Sequence, residues 1–359
     1  MTPNSPSASS GKRYSLKWRL LLSITFSFLI LFSLWLLVSS AGTMKDSASF
    51  TETFRNITWG LVILYIIISI LGTWIRALRY RTLLKADGLV RVPGIGFMFL
   101  VTLSRNMFVD MVPARMGEAS YVIMLNSAYS VPVAACLSTL FISVVLDILA
   151  LAILLIFLVL LSLIASSESG ITVYNALVAT SLIVVAAGFM VFAAVPLSKW
   201  FSRMMNATGL RILKRFGQFI IDVGASIRRV QMRELLSLTL SQSLALRVIK
   251  YGGLYSLYLA VTTVNFPEFA ALPLWKVIPA FVSAEAAASL PLPTFMSFGS
   301  YEGGGMLAFS VLGFAAAEIL LLMFVIHLLS QVVDYTLGGI GLLGFFLTTN
   351  KKEAEVTNE

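Results

Sequence analysis

The chain has 359 residues, 58% hydrophobic and only 12% charged, with 26 Lys and Arg against 17 Asp and Glu and a formal net charge of +9. A soluble domain carries about 25% charged residues, so the composition excludes an ordinary globular fold and points to an all-α integral membrane protein, whose spans each need about 20 consecutive apolar residues. The basic excess sits between apolar runs, the pattern of a positive-inside membrane protein and not of a nucleic-acid binder. With one cysteine, Cys136, and one histidine, His327, neither an intramolecular disulfide nor a metal cluster is expected, and no cofactor.

In chain order, a cytoplasmic arm (1–19) bearing Lys12, Arg13, Lys17 and Arg19 precedes an apolar run at about 20–41. The run ends in Ser39-Ser40-Ala41, like a signal peptide with a small-residue cleavage site, but it is longer than a signal's apolar core and is read as an uncleaved first span. Further spans are predicted at about 57–75, 133–165, 173–197, 235–262 and 317–347, six in all. The joints differ in basic content. That at 42–56 balances its two basic residues with Asp46 and Glu52, that at 76–92 carries Arg76, Arg79, Arg81, Lys85 and Arg91 against Asp87, that at 166–172 carries none, and that at 198–234 carries eight. The tail, 350–359, carries Lys351 and Lys352. The positive-inside rule places both termini, 76–92 and 198–234 in the cytoplasm of a multi-pass cell (inner) membrane protein. In the long joint, Phe216, Phe219, Ile220, Val223 and Ile227 recur at helical spacing among Arg211, Lys214, Arg215, Arg228 and Arg229, which suits a helix lying on the inner membrane surface.

Parity makes two other segments the centre of interest. Residues 93–132 must begin and end inside, and 276–316 must begin and end outside. Both are apolar but broken by Pro and Gly, and both are read as re-entrant helical hairpins, one from each face. Irregular backbone at membrane depth is tolerated only where protein or a wet cavity surrounds it. Span, hairpin, span thus occurs twice in opposite orientation, over about 57–165 and 235–347, within a single domain at 20–349. The tips correspond: Pro113-Ala114-Arg115-Met116-Gly117-Glu118 in one, and Pro293 followed by Gly299-Ser300-Tyr301-Glu302 in the other. Paired interruptions in inverted halves mark transporter sites; two unrelated kinked helices are the plainer alternative.

A charge within the bilayer is a functional candidate because it costs roughly 2.5–3.5 kcal/mol or more at a helix centre. Arg105, Asp110, Arg115 and Glu118 belong to the first hairpin, Asp147 to the third span, Arg247 and Lys250 to the fifth, Glu285 and Glu302 to the second hairpin, and Glu318, His327 and Asp334 to the last span. Glu118 either pairs with Arg115 or caps the helix that follows, and Arg115 suits a phosphate clamp. Arg79 and Arg81, expected at the cytoplasmic mouth, either receive a headgroup or anchor topology. Arg247 and Lys250 lie one turn apart facing a polar cavity, Asp147 pairs with a cation or takes a proton, and Asn106 lines the first hairpin. His327 is read as an interhelical hydrogen-bonder more readily than as a proton relay. There is no P-loop, Gly-x-Ser-x-Gly or His-Glu-x-x-His.

Three runs resemble the motifs of a known family. They are Arg76-Ala77-Leu78-Arg79-Tyr80-Arg81-Thr82-Leu83-Leu84 with Gly88; Asn106 with Pro113-Ala114-Arg115-Met116-Gly117-Glu118; and Leu290-Pro291 through Gly299-Ser300-Tyr301-Glu302. The family is the lysylphosphatidylglycerol synthase transmembrane region, also called flippase-like, and the resemblance covers about 15–345. It implies a flippase-like fold that moves a lipid between leaflets. The family's soluble synthase domain has no counterpart in the nine residues after Asn350, so lysyl transfer is not implied. Relatives tend to carry an arginine shortly before the aspartate of the third span and another in the last span. Here Val144 and Val145 precede Asp147, and the last span offers His327 and Gln331.

The sequence therefore predicts a translocator of an anionic or modified phospholipid, or of a lipid-linked glycan precursor. Arg79, Arg81, Asn106, Arg115, Glu118, Asp147, Arg247, Lys250 and Glu302 are the expected headgroup-binding residues. The alternatives are an integral-membrane enzyme using Asp147 and Glu118 as acid and base, or a scaffold for a lipid-modifying enzyme or glycosyltransferase; a homo-oligomer is compatible with each.

Overall fold

A computed structural model describes residues 16–40, 50–89, 91–112, 117–165, 235–290, 292–312 and 316–357, with isolated positions at 221, 224, 225, 228 and 314. Arg115, the span at 173–197 and nearly all of the joint at 198–234 lie outside the described residues. All regular structure among the described residues is helical: α1 (Leu16–Ser40), α2 (Phe50–Arg55), α3 (Trp59–Ala86), α4 (Ile95–Met111), α5 (Glu118–Tyr129), α6 (Val133–Ala165), α7 (Leu235–Asn265), α8 (Pro267–Ala270), α9 (Leu274–Ala288), α10 (Ser300–Val311) and α11 (Ala316–Thr357).

Four helices are long and apolar enough to cross a membrane, over Trp59–Ala86, Val133–Ile164, Leu235–Asn265 and Ala317–Asn350. They match four of the predicted spans, with one correction. The span predicted to end at 75 continues as helix to Ala86, so Arg76, Arg79 and Arg81 belong to α3 and not to a loop. The apolar run read as the first span lies on α1. The broken segments are each a pair of helices around an interruption: α4 and α5 part at Val112, α9 and α10 around Leu290 to Gly299.

Glycine lets these helices approach closely. Lipid tails are as apolar as a protein core, so van der Waals fit and small residues drive association in a bilayer. Gly338, Gly341 and Gly344 of α11 face Met107, Leu103 and Leu100 of α4, and a Cβ at Gly341 would stand 2.6 Å from that of Leu103. Gly304 of α10 rests on α9, where a Cβ would come within 2.6 Å of the Ser283 carbonyl and 2.7 Å of the Ala287 methyl. Gly72 of α3 meets Ile249 of α7, and Gly253 of α7 returns the contact to Ile68 and Tyr65.

The packing partners nearly map onto themselves when the two units are exchanged. α3 packs on α7; α4 packs on α11 as α9 packs on α6; α3 meets α4 and α6 as α7 meets α9 and α11; and each hairpin's second helix joins its own unit's last helix, α5 with α6 and α10 with α11. The contact of α6 with α7 has no comparable counterpart between α3 and α11.

Two large apolar cores result, beside a small cluster of Leu83, Ala86, Ile142 and Leu146. One gathers the first half of α3, α7, α9, α10 and the first half of α11, around Tyr258, Phe281, Phe309 and Met323. The other gathers the second half of α3, α4, α5 and the start of α6, around Tyr80, Met98, Tyr121 and Leu125. The space between them is polar.

Candidate functional site

A cavity of about 560 Å³ lies at mid-length of α3, α6, α7 and α11, walled also by α4 and α9. Along α3 it is lined by Tyr65, Ser69, Thr73, Arg76 and Tyr80, a polar stripe at helical spacing. Arg105, Asn106 and Asp110 come from α4, Glu118 from α5, Asp147 from α6, Arg247 and Lys250 from α7, Glu285 from α9, and His327, Gln331 and Asp334 from α11. Most of the charges singled out along the chain therefore meet in one place.

Their pairing differs from the sequence expectation. Arg79 is fully buried, not at a cytoplasmic mouth. Its Nη1 and Nη2 lie 2.6 and 3.1 Å from the two carboxylate oxygens of Asp147, and Nη1 also donates to Ser243 Oγ at 2.6 Å. A buried pair of this kind is stabilising only because each charge has the other. Asp147 has its cation, but one that stands on α3 behind it. Arg81 is turned away from the cavity, its Nε donating to the Pro93 carbonyl at 3.0 Å.

Arg115, one predicted partner of Glu118, lies outside the described residues, and the Glu118 carboxylate is not spent on capping the start of α5. It is gripped by Arg105 across the break of its own hairpin, through Nε at 2.7 Å and through Nη2. Arg105 Nη1 also donates to Asn106 Oδ1 at 3.1 Å, and Arg76 Nη1 reaches the same oxygen at 3.0 Å. Lys250 Nζ stands 2.7 Å from Glu285, whose other oxygen accepts from Tyr251 at 3.1 Å. Arg247 Nε donates to the Asp147 carbonyl at 3.0 Å.

Glu302 is fully buried and lies outside the cavity lining. As the third residue of α10, its Oε2 accepts the Gly299 N–H at 2.6 Å, the carboxylate half of a capping box, and its Oε1 is 2.7 Å from His327 Nδ1. His327 is thus the interhelical hydrogen-bonder expected of it.

After these pairs are drawn, two guanidinium groups in the cavity wall, Arg76 and Arg247, have no carboxylate partner among the described residues. The same cavity is lined by two carboxylates, Asp110 and Asp334, within electrostatic reach of each other, of Lys250 and of Arg76. Arg76 is not among the expected site residues, although it shares the 76–92 joint with Arg79 and Arg81. The stripe Tyr65, Ser69, Thr73, Arg76, Tyr80 was the available signal, since its spacing carries the helix past residue 75.

No curated protein and no solved structure matches this chain. The family described as Lysylphosphatidylglycerol synthase TM region matches residues 19–338, and the chain belongs to that family, as a multi-pass membrane protein of lipid-related function.

Proposed function

We propose that the protein translocates a phosphate-bearing lipid, an anionic or modified phospholipid or a lipid-linked glycan precursor, between leaflets. The observation that carries this reading is the pair of guanidiniums, Arg76 and Arg247, facing one cavity without a carboxylate of their own. A guanidinium at membrane depth needs a counter-charge, and its planar fork matches a phosphate. Asp110 and Asp334 suit the hydroxyl or amine groups of the same headgroup.

The two helix pairs α4–α5 and α9–α10 are re-entrant hairpins entering from opposite faces, and α1 is an additional span with the N-terminus in the cytoplasm. The exchange-related packing of the two units supports an inverted repeat, in which the units rock about a fixed central site. Enzymatic acid–base work fits less well, because both groups it requires, Asp147 and Glu118, are held by arginines.

The test is reconstitution into vesicles containing fluorescently labelled phosphatidylglycerol, with leaflet exchange read by quenching from outside. The protein should accelerate exchange. Arg76→Gln and Arg247→Gln should each slow it by roughly tenfold to a hundredfold, the worth of a charge-assisted hydrogen bond of about 1.5–3 kcal/mol. Wild-type rates in both variants would remove the site assignment, and a change in lipid mass on incubation would favour an enzyme.

A further inference from the structure

His327 is the one histidine of the chain, and it is 2% exposed. Its ring is fixed between Tyr301, stacked at 4.3 Å, and Phe298 at 4.5 Å. On one side, Nδ1 meets the Glu302 carboxylate at 2.7 Å. On the other, Nε2 meets the amide nitrogen of Gln331 at 3.1 Å. A carboxylate accepts and an amide nitrogen donates. The consistent assignment is a neutral ring whose Nδ1–H donates to Glu302 and whose Nε2 lone pair accepts from Gln331.

The other half of that amide is without a partner. Gln331 is 8% exposed, and its Oε1 is buried with no hydrogen bond. An unused buried acceptor is costly, and here it sits on the same side chain that caps the ring. A second proton, on Nε2, would face the Gln331 NH2, donor against donor. A half-turn of the amide removes the conflict and brings the idle Oε1 to the new N–H. One side chain thus carries the cap for either protonation state of the ring.

The surroundings give that proton a route and a consequence. His327 opens onto the cavity. The helices packed on α11 bring Asp110 and Arg105 from α4, Lys250 from α7, and Tyr301 and Glu302 from α10, while α11 itself adds Asp334 one heptad on. The described side chains of α1, residues 24–36, bring no titratable group. Behind Glu302 lies a run of unusual backbone. Met296, Ser297 and Gly299 have φ of 54°, 59° and 91°, conformations that hold only when neighbours enforce them. The loop is pinned by Glu302 on the Gly299 N–H and by Ser27 of α1, whose Oγ accepts the Phe295 N–H at 2.6 Å.

We propose that His327 is a proton-binding site, with Gln331 turning its amide to match, and that its charge sets how tightly Glu302 holds the tip of the α9–α10 hairpin. Protonated, the ring and Glu302 form a buried ion pair that clamps the tip to α11. Neutral, they keep a single hydrogen bond, and the hold weakens. Proton coupling of lipid movement rests on the translocator reading above; the proton site itself does not.

Because the chain has a single histidine, one spectrum decides the site. The full chain, purified through a histidine-free tag, is labelled with 15N-histidine and placed in lipid nanodiscs. The 15N imidazole signals should show the Nδ1–H tautomer at high pH and convert to the doubly protonated ring on acidification. Glu302→Gln, which removes the counter-charge of the doubly protonated ring and still offers Nδ1–H an acceptor, should require a lower pH for the same conversion. An imidazole that keeps one state from about pH 5 to 9, an Nε2–H tautomer, or a conversion unmoved by Glu302→Gln overturns the site.

In vesicles, the ratio of exchange rates at about pH 6 and about pH 8 should fall to one in His327→Gln, whatever its absolute rate. A wild-type rate independent of pH overturns the coupling while the spectrum still decides the site. Absence of any exchange by the wild type overturns the translocator reading, and the coupling with it.

Discussion

The two helix pairs each carry a glutamate in the first turn of the second helix, in different company. In the first, Glu118 opens α5 and is gripped by Arg105 of α4, so the pair is internal to the hairpin and permanently charged on the arginine side. In the second, Glu302 opens α10 and reaches outward to His327 on the neighbouring long helix. An arginine stays protonated at every accessible pH, whereas a histidine changes charge in the physiological range. One hairpin is therefore locked on itself, and the other is latched to its surroundings by a bond whose strength depends on a proton.

The largest effect that tests this contrast is the loss of each glutamate's charge. Glu118→Gln leaves the Arg105 guanidinium without its counter-charge in a largely buried setting. Breaking one half of such a pair costs about 3–5 kcal/mol. Glu302→Gln leaves no fixed charge behind, and its amide oxygen still accepts the Gly299 N–H, so it should cost about 1–3 kcal/mol. Thermal unfolding in the same detergent gives the order directly, and equal losses would mean that the two tips are held alike. Replacing both members of the first pair, Arg105→Met with Glu118→Leu, should recover most of the loss.

A smaller effect separates how the hairpins are seated. α4 lies against α11 along Gly338, Gly341 and Gly344, so Gly341→Leu pushes into Leu103 and the Leu100 carbonyl. Overpacking of that kind costs about 1–3 kcal/mol. The matched control is Gly339→Leu, two residues away on another face of the helix, where a Cβ meets nothing within 4 Å. Comparable unfolding temperatures for the two variants would show that the glycine stripe does not seat the hairpin.

Much of this was legible in the sequence, for identifiable reasons. Long uncharged runs are diagnostic of spans, and four of them appear as membrane-length helices. The paired Pro-Gly interruptions located both helix pairs, because a chain cannot carry a helix unbroken through them. Several charges of the cavity stand out in the sequence, since Asp110, Asp147, Arg247 and Lys250 sit in apolar helices; Arg76, among the basic residues of its joint, does not stand out. Partner choice was not legible. Arg79 reads as a topology anchor by its place beside other basic residues, yet it is fully buried against Asp147, 68 positions away. Glu118 is held by Arg105, 13 positions earlier on the preceding helix, a reach that the sequence does not display. Sequence proximity suggests pairs; the crossing of α3 with α6, and of α4 with α5, decides them.

The smallest expected stability effect belongs to Lys250. Its ammonium meets Glu285 of α9 at 2.7 Å, and so ties the fifth predicted span to the second hairpin. The pair nevertheless opens on the cavity, with the lysine side chain 39% and the glutamate 22% exposed. Solvent screens such pairs, whose measured worth is about 0.2–1 kcal/mol. Glu285 would also keep the Tyr251 hydroxyl as a partner at 3.1 Å. Lys250→Met should therefore leave the unfolding temperature nearly unchanged, well above that of Glu302→Gln. A loss as large as that of Glu118→Gln would mean that the second hairpin is held chiefly by Lys250 and not by the latch at Glu302, and the contrast between an internally locked hairpin and a proton-dependent one would have to be redrawn around α7.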